Sequence, residues 1–250
     1  MCTVVILRRA GHNWPLILAA NRDEMTDRPW RAPGRHWPDR VEVTAGRDEL
    51  ADGTWLGLND WGVIAGVLNR PGSLGPDQDL RSRGELPLEA LDHAEAATAA
   101  EAMIAIDPAS YRTFNLIIAD GAQAFWISSP GGGAALRAEP LPEGLSMITA
   151  HDLNDDASPR IRHYRPQFEA APSPDPETGD WAAWQALVGE RREDSEGEER
   201  GAMTIVTDRG FATVSSSLMA LPAPGRQGVK PQWLFAPGRP DKTPYEPVEF

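Results

Sequence analysis

The sequence predicts an α+β fold built from antiparallel sheets, and two observations support this class. First, β-rich runs occur in pairs joined by short turns, which is the pattern of β-hairpins. Second, helical patterns are grouped between these pairs instead of alternating with single strands, as they do in parallel sheets. The predicted strand pairs are Thr3–Leu7 with Leu16–Ala20, Thr54–Leu58 with Val63–Leu68, Phe114–Ala119 with Gln123–Ser128, and Met203–Thr207 with Phe211–Leu218, and Gln232–Ala236 is predicted as a final strand.

Helices are predicted where apolar residues recur at helical spacing after an N-terminal capping signal. Ser82-x-x-Glu85 and Thr98-x-x-Glu101 have the form of capping boxes, and they predict two helices with a break between them. Three proline residues then separate the remaining two helical patterns. The predicted helical segments are Leu86–Ile106, which contains the break, Arg160–Ala170 and Trp181–Gly189.

The bulk composition is that of an ordinary globular protein, with 41% hydrophobic and 24% charged residues among 250. Neither an internal repeat nor a linker divides the chain, so we predict a single domain over residues 1–250. The longest apolar runs are shorter than the roughly 20 residues that a membrane helix needs. Arg8 and Arg9 follow the apolar stretch Thr3–Leu7 instead of preceding it. We therefore expect no membrane span, no signal peptide and a cytoplasmic location.

The charge and the metal-ligating residues exclude several functions. A formal net charge of −13 argues against nucleic acid as a partner, because nucleic acid requires a basic face. The mixed-charge run Glu190–Arg200 is predicted to be a solvated loop or helix end. Cys2 is the single cysteine, so an intramolecular disulfide and a thiolate metal cluster are both excluded. The five histidines lack paired spacing, and no metal site is predicted.

Cys2 is the candidate nucleophile. Removal of Met1 would place a free α-amine on the same residue as a thiol, and the amine could take the thiol proton directly or through a water. One residue would then supply both nucleophile and base, and no catalytic histidine would be needed. The alternative is a small apolar residue that opens a buried strand.

The first predicted hairpin brings polar residues towards Cys2. If its turn centres near Gly11–Asn13, the sequence numbers of two facing residues add up to about 23–25, so Cys2 lies opposite residues 21–23. These are Asn21, Arg22 and Asp23. Asp23 can hold the α-ammonium or its water, and Arg22 can lower the thiol pKa or bind an anionic group. The alternative is a solvated loop in which Asp23 and Arg28 form a surface ion pair.

A series of motifs resembles one family. Met1-Cys2 is followed by Leu18-Ala19-Ala20-Asn21-Arg22-Asp23-Glu24, Gly53-Thr54-Trp55-Leu56-Gly57, Gly66-Val67-Leu68-Asn69, Ser82-Arg83-Gly84-Glu85-Leu86 and Phe114-Asn115-Leu116-Ile117. Their order and spacing resemble the NRDE family, also called the TANGO2 (transport and Golgi organisation 2) family. This family is similar to the N-terminal-nucleophile (Ntn) hydrolases of the penicillin V acylase and choloylglycine hydrolase group.

The resemblance implies a fold, a reaction and residue roles. The fold is a four-layer αββα sandwich with two stacked, mainly antiparallel sheets. The reaction is hydrolysis of a small amide or N-acyl compound through a thioester, and it requires no cofactor. Cys2 is implied as nucleophile and base, with Asn21 and Asp23 at the end of the second strand, Asp23 orienting the amine and Arg22 beside it. Asn69 is implied as an oxyanion donor, and its alternative role is that of a turn residue.

Two departures from the family pattern leave a second function open. Ala150-His151 stands where many relatives carry Ser-Asn, and Val214 stands where relatives carry an Arg. His151 can donate to an oxyanion, bind a ligand or cap the next segment. The second function is binding or trafficking of haem or an acyl-lipid on the same fold, and a third is metabolite binding without either activity. Besides Cys2, the candidate axial haem ligands are His12, His36, His151 and His163.

Tryptophans have two possible roles. Trp14, Trp30, Trp37, Trp55, Trp61 and Trp126 can line an apolar acyl or porphyrin pocket, or they can be core and rim residues with bonded indole N–H groups. The segment that contains Arg28-Pro29-Trp30 and His36-Trp37-Pro38 is predicted as a long loop able to cover the site.

Overall fold

The computed structural model describes residues 2–73, 75, 77, 79–192 and 201–250, and these form two compact units. The first unit runs to Arg28 and resumes over Pro142–Val248, and the second comprises Pro29–Leu141 with Glu249–Phe250. The chain therefore leaves the first unit after Arg28 and returns to it at Pro142, and its last two residues are again assigned to the second unit. The single domain over residues 1–250 stays a prediction.

Six strands of the described residues form an antiparallel sheet in the first unit, in the order β10-β1-β2-β11-β12-β13. Their bounds are β1 Thr3–Arg8, β2 Leu16–Met25, β10 Gly144–Ile148, β11 Phe211–Leu221, β12 Gln232–Ala236 and β13 Glu246–Pro247. The hairpin β1–β2 pairs Thr3 with Asn21 and Arg8 with Leu16, so facing residues sum to 24. The predicted register of this hairpin is confirmed.

Two helices pack on one face of this sheet, α3 (Pro159–Ala170) and α4 (Ala182–Val188). Helix α3 begins where Ser158 accepts a hydrogen bond from Ile161 N and Pro159 occupies the first turn, a favoured arrangement at a helix start. Both helices were predicted from sequence to within one residue at each end. Their apolar side chains bury a core against the sheet, and its members include Val5, Ala19, Leu218, Ile161, Phe168 and Trp184.

The second unit contains a seven-stranded antiparallel sheet within the described part of the chain, in the order β3-β4-β5-β6-β7-β8-β9. Its strands are β3 Trp30–Gly34, β4 Val43–Asp48, β5 Leu56–Asn59, β6 Ile64–Asn69, β7 Phe114–Ala119, β8 Ala124–Ser128 and β9 Arg137–Pro140. Helices α1 (Glu85–Leu91) and α2 (Ala96–Ile104) cover one face. The core beneath them includes Val43, Ala65, Leu116 and Ile127.

The predicted break between α1 and α2 is confirmed, but the predicted capping boxes are wrong. The N-cap of α1 is Gly84 and that of α2 is Glu95, and neither cap makes a side-chain hydrogen bond. Ser82 Oγ instead accepts from Gly84 N, one residue before the helix begins. Thr98 lies inside α2, because buried alanines extend that helix back to Ala96.

Two glycines of the family motifs allow a close approach of backbone to backbone. Thr54 N donates to Gly84 O over 2.9 Å, and this holds the segment before β5 against the start of α1. A Cβ on Gly53 would lie 2.5 Å from the carbonyl carbon of Gly84, a distance that real Cβ atoms do not adopt. Glycine at position 53 is therefore required by packing.

Two local predictions are wrong. Met203–Thr207 is not a strand, and in this segment only Val206 forms an isolated bridge, to Ala212. The long loop predicted after the first hairpin contains strand β3, which pairs with β4 at the edge of the second sheet. Most of Glu190–Arg200 lies outside the described residues. Among the helices that the structure describes, none has the length and apolarity needed to cross a bilayer.

Candidate functional site

Cys2 lies immediately before β1, and the residue as a whole is partly exposed although its thiol is buried. Continuing the β1–β2 register by one residue beyond the Thr3–Asn21 pair brings Cys2 opposite Arg22. The backbone N–H of Asp23 hydrogen-bonds to the Cys2 sulfur. The structure therefore brings Cys2, Arg22 and Asp23 together at one end of the first sheet.

Opposing effects act on the thiol. Burial raises the pKa of Cys2 above its usual range, and the carboxylate of Asp23 acts in the same direction. The positive charge of the chain's N-terminus lowers the pKa most, and the N–H of Asp23 and the guanidinium of Arg22 also lower it, but together they do not outweigh burial. A nearby base would therefore be needed to make this thiol a nucleophile at neutral pH.

The carboxylate of Asp23 is buried and held from two sides. Its Oδ1 accepts from Thr213 Oγ1 over 2.6 Å, and its Oδ2 accepts from Arg160 Nη1 over 3.1 Å. The same nitrogen of Arg160 also donates to Thr3 Oγ1. The alternative of a solvated loop is wrong, because Asp23 lies within strand β2 and its side chain has no exposed surface. Asp23 is part of a buried network, and this network joins β1, β2, β11 and α3.

Asn21 uses its amide to hold the backbone behind the sheet. Its Nδ2 donates to Val188 O over 2.9 Å and to Met203 O over 3.0 Å. Its Oδ1 accepts from Ser216 Oγ over 2.6 Å, and that hydroxyl in turn accepts from Tyr245. Both amide hydrogens of Asn21 thus go to backbone carbonyls, and this side chain fixes the end of α4 on the sheet.

His151 follows β10, the strand that flanks β1 on its other side. Its ring Nδ1 lies 3.8 Å from Asp155 Oδ2, and its backbone N donates to Thr149 Oγ1 over 3.4 Å. Thr149 Oγ1 also donates to Ser158 Oγ, the N-cap of α3, over 3.1 Å. The segment that carries His151 is therefore tied to the start of α3. A role of His151 in binding or catalysis stays a prediction.

Val214 is the extra residue of a β-bulge. Strand β11 pairs Thr213 with Asp23 and Ser215 with Arg22, so Val214 has no partner residue on β2. The bulge turns Thr213 towards Asp23 and places Ser215 across from Arg22.

Asn69 is the last residue of β6 in the second unit, and it pairs with Phe114 of β7. The next residue, Arg70, donates to Asn115 Oδ1 over 2.7 Å, and Trp126 Nε1 donates to the same oxygen over 3.2 Å. Asn69 therefore precedes a buried polar cluster at the end of its sheet. Its role as oxyanion donor stays a prediction.

The tryptophans are mostly core residues. Trp14 and Trp37 are buried in the cores of the first and second units, and their indole N–H groups donate to Glu177 and to Asp52 O. Trp30 and Trp55 pack edge to face at 5.7 Å, whereas Trp61 is 54% exposed. The prediction that these tryptophans are core residues with bonded indole N–H groups is confirmed for Trp14, Trp37 and Trp126.

Two of the candidate haem ligands already use ring nitrogens within the protein. His12 Nδ1 accepts from Trp14 N over 3.0 Å, and His36 Nε2 is 2.9 Å from Ala32 O. His163 packs edge to face against Tyr164. Binding of haem or an acyl-lipid stays a prediction.

Sequence reasoning missed Arg160 and Thr213. One signal pointed to Arg160, because Ser158-Pro159 marks a helix start and a cation in the first helical turn is unfavourable to the helix dipole. Such a residue indicates a partner elsewhere. Thr213 carried no comparable signal, since its contact with Asp23 depends on the bulge at Val214.

The fold is that of the Ntn hydrolases. Conjugated bile acid hydrolase from Clostridium perfringens, in a Cys-to-Ala mutant form, aligns with a TM-score of 0.52 at 12% identity over 100% of this chain and 97% of that chain. Penicillin V acylase from Agrobacterium tumefaciens aligns with a TM-score of 0.51 at 16% identity over 94% of this chain and 83% of that chain. At sequence identities this low, the similarity establishes the fold alone. The predicted Ntn-hydrolase-like α+β fold is confirmed.

A family model described as Transport and Golgi organisation 2 (TANGO2) matches residues 1–210, and the chain belongs to this family. A stretch of 110 residues is 37% identical to the Transport and Golgi organization protein 2 homolog of Bos taurus, and it covers 42% of this chain and 38% of that protein. The Homo sapiens homolog is 36% identical over 110 residues, which again cover 42% of this chain and 38% of that protein. The match thus spans 38% of the length of these curated relatives.

Proposed function

We propose that this protein is a cysteine Ntn hydrolase that cleaves a small amide or N-acyl compound, with Cys2 as nucleophile after removal of Met1. The observation that carries the proposal is the register of β1 and β2, which brings Cys2 opposite Arg22 and beside Asp23, so that the guanidinium of the one and the backbone N–H of the other help to stabilise the thiolate. The Ntn-hydrolase fold and the structural neighbours, whose names describe a bile acid hydrolase and a penicillin V acylase, support it.

In the first step, the sulfur of Cys2 attacks the amide carbonyl carbon while the thiol proton passes to the α-amine of the same residue. The C–N bond then breaks, and the leaving amine takes that proton as it departs. The acyl group remains on sulfur as a thioester. The raised pKa of the buried thiol is the reason that a base on the same residue is needed.

In the second step, water attacks the thioester carbonyl and gives a proton to the α-amine. The C–S bond breaks, the proton returns to sulfur, and a carboxylic acid leaves. Water is the sole co-reactant, so the reaction needs no cofactor. The Asp23 carboxylate holds the α-amine in place through both steps, and Arg22 stabilises the thiolate or an anionic group of the substrate.

Asn69 is proposed to donate its side-chain N–H to the oxyanion, and such a donor typically contributes about 3 kcal/mol to lowering the barrier. His151, in the segment that follows the strand next to β1, is proposed to contact the bound acyl compound. Asn21 acts indirectly in this scheme, because both of its amide hydrogens are bonded to backbone carbonyls.

The proposal is tested by incubating Met1-trimmed protein with a panel of N-acyl amides of graded chain length. We expect amine release that disappears in Cys2→Ala, and an acyl adduct on the N-terminal peptide after acid quenching. Arg162→Met, an exposed change on α3, serves as the folded control. Full amidase activity in Cys2→Ala would contradict the proposal. A haem titration of the same protein tests the alternative function, and a Soret shift lost on substitution of His151 or His163 would favour it.

A further inference from the structure

We propose that Arg160 is a positioning residue for the Cys2 reaction: it holds the Asp23 carboxylate and the first residue of β1 in the geometry that lets the α-amine of Cys2 act as base. This inference rests on the proposed function, and it assigns a role to a residue on a helix behind the sheet. The argument uses contacts within the first unit.

One nitrogen of Arg160 joins the two residues that determine where Cys2 lies. Its Nη1 donates to Asp23 Oδ2 over 3.1 Å and to Thr3 Oγ1. Thr3 follows Cys2 in the chain, and the N–H of Asp23 bonds to the Cys2 sulfur. Arg160 therefore links Thr3, the residue after the nucleophile, to Asp23, the residue beside it.

The helix that carries Arg160 is fixed at the same end. Ser158, the N-cap of α3, accepts from Ile161 N and from Thr149 Oγ1 at the end of β10. The start of α3 thus cannot shift relative to the end of β10 without breaking the bond between Thr149 and Ser158. The backbone of Arg160 is therefore held in place, and its side chain can position Asp23.

The location of Arg160 is costly, and a structural role alone would be met more simply by apolar side chains. The side chains of Arg160 and Asp23 have no exposed surface, so both charges are fully desolvated. A positive charge in the first helical turn is also opposed by the helix dipole. Buried ion pairs are commonly no more stabilising than apolar residues of the same volume. The pair is therefore better explained by what it does for Asp23.

The charge of Arg160 changes the field that Asp23 exerts on Cys2. An unpaired carboxylate beside Cys2 would hold its α-amine as ammonium and its thiol as the neutral acid, and both effects oppose catalysis. Arg160 offsets the carboxylate charge and holds the carboxylate in place. Other charged or titratable groups near this cluster, among the described residues, include Arg22 on β2 and Tyr164 on α3, with Glu190 and Arg192 near Tyr164, and the positive charge of the chain's N-terminus also acts on Cys2.

The test compares Arg160→Met and Arg160→Lys in Met1-trimmed full-length protein, with Arg162→Met on the same helix as the matched control. The pH dependence of Cys2 alkylation and the separate values of kcat and KM are measured. In Arg160→Met we expect the apparent pKa of alkylation to rise by about one unit or more and kcat to fall at least tenfold, with little change in KM. Arg160→Lys keeps the charge, so its apparent pKa of alkylation should be close to that of the parent protein, whereas its kcat should recover only in part. Arg162→Met should match the parent protein.

A folded Arg160→Met protein with the parent pH profile and kcat would overturn the inference. Should Arg160→Met fail to fold, Arg160→Lys decides, because parent kcat in that variant would show that the two-acceptor geometry is dispensable. Failure of the proposed function is a separate result: amide hydrolysis that persists in Cys2→Ala contradicts the hydrolase, whereas the alkylation profile of Cys2 still reports on Arg160.

Discussion

Arg160 Nη1 lies 3.1 Å from Asp23 Oδ2, and neither side chain has exposed surface. This contact joins the first turn of α3 to the end of β2, directly behind the strand pair that presents Cys2. The residues of the motif Asn21-Arg22-Asp23-Glu24 therefore have different roles. Arg22 and Asp23 lie near the sulfur of Cys2, whereas Asn21 holds α4 on the sheet.

The first prediction concerns the stability of this buried pair. Asp23→Leu or Arg160→Met alone should lower the free energy of unfolding by about 3–5 kcal/mol, because each leaves one charge buried without its counter-ion. The double variant should lose much less than the sum of the two. Urea denaturation of the four proteins measures the coupling. The exposed pair Arg165–Glu169, at 3.1 Å, is the control and should show coupling of less than about 1 kcal/mol. Additive losses at Asp23 and Arg160 would refute the pairing.

The second prediction separates two asparagines that the family motif places in the site. Asn21→Leu should lower the free energy of unfolding by about 2–4 kcal/mol, because the carbonyls of Val188 and Met203 lose their donor. Asn69→Ala should change it by less than about 1 kcal/mol and lower kcat by about 100- to 1000-fold. Chemical denaturation and steady-state kinetics of both variants provide the comparison. A catalytic loss without destabilisation in Asn21→Leu would reverse these roles.

The third prediction concerns Gly53. An alanine there would place its Cβ 2.5 Å from the carbonyl carbon of Gly84, so the segment before β5 and the start of α1 must separate. We expect a loss of at least about 2 kcal/mol in the free energy of unfolding. Gly201→Ala is the control, because the nearest atom to its Cβ would be 4.0 Å away. Equal midpoints of thermal unfolding for both variants would contradict the close approach.

The fourth prediction concerns alkaline pH. Burial raises the pKa of Tyr164 from 10.0 to about 12, so between these values the unfolded chain loses the phenolic proton while the folded chain keeps it. The stabilising contribution is complete below pH 10 and is lost as pH rises towards 12. Tyr164→Phe should therefore flatten the fall in unfolding free energy over this window, although Tyr111, whose pKa burial also raises to about 12, keeps part of the slope. An unchanged slope in Tyr164→Phe would exclude Tyr164 as its source.

The hairpin register was predictable because side-chain alternation and a single turn determine it. Gly11 has a positive φ of 74°, and Arg9 N bonds to Pro15 O, so the turn fixed the pairing that brings Cys2 opposite Arg22. Strands β7 and β12 were predicted with their observed bounds, since turn residues flank continuous apolar runs.

The parts of the fold and of the site that the sequence did not predict depend on contacts between residues distant in the chain. Strand β3 contains Pro33 and the exposed residues Arg31 and Ala32, and it forms because it pairs at the edge of the sheet with β4. Met203–Thr207 has a strand-like composition, but it packs as an irregular segment whose Met203 O accepts from Asn21. Arg160 is more than 130 residues from Asp23 in the chain, and its partner could not be read from local pattern.

The reactivity of Cys2 across pH is the most direct test of the central claim, that a thiol and its own α-amine work together beside Asp23 and Arg22. The protein has one cysteine, so any alkylation by iodoacetamide reports on Cys2 alone. With Met1 retained, burial keeps the pKa of the thiol above its usual range, and labelling should be slow at neutral pH. After removal of Met1, confirmed by intact mass, we predict fast labelling with an apparent pKa well below 8. Identical profiles for the two forms, both slow at pH 7, would contradict the account.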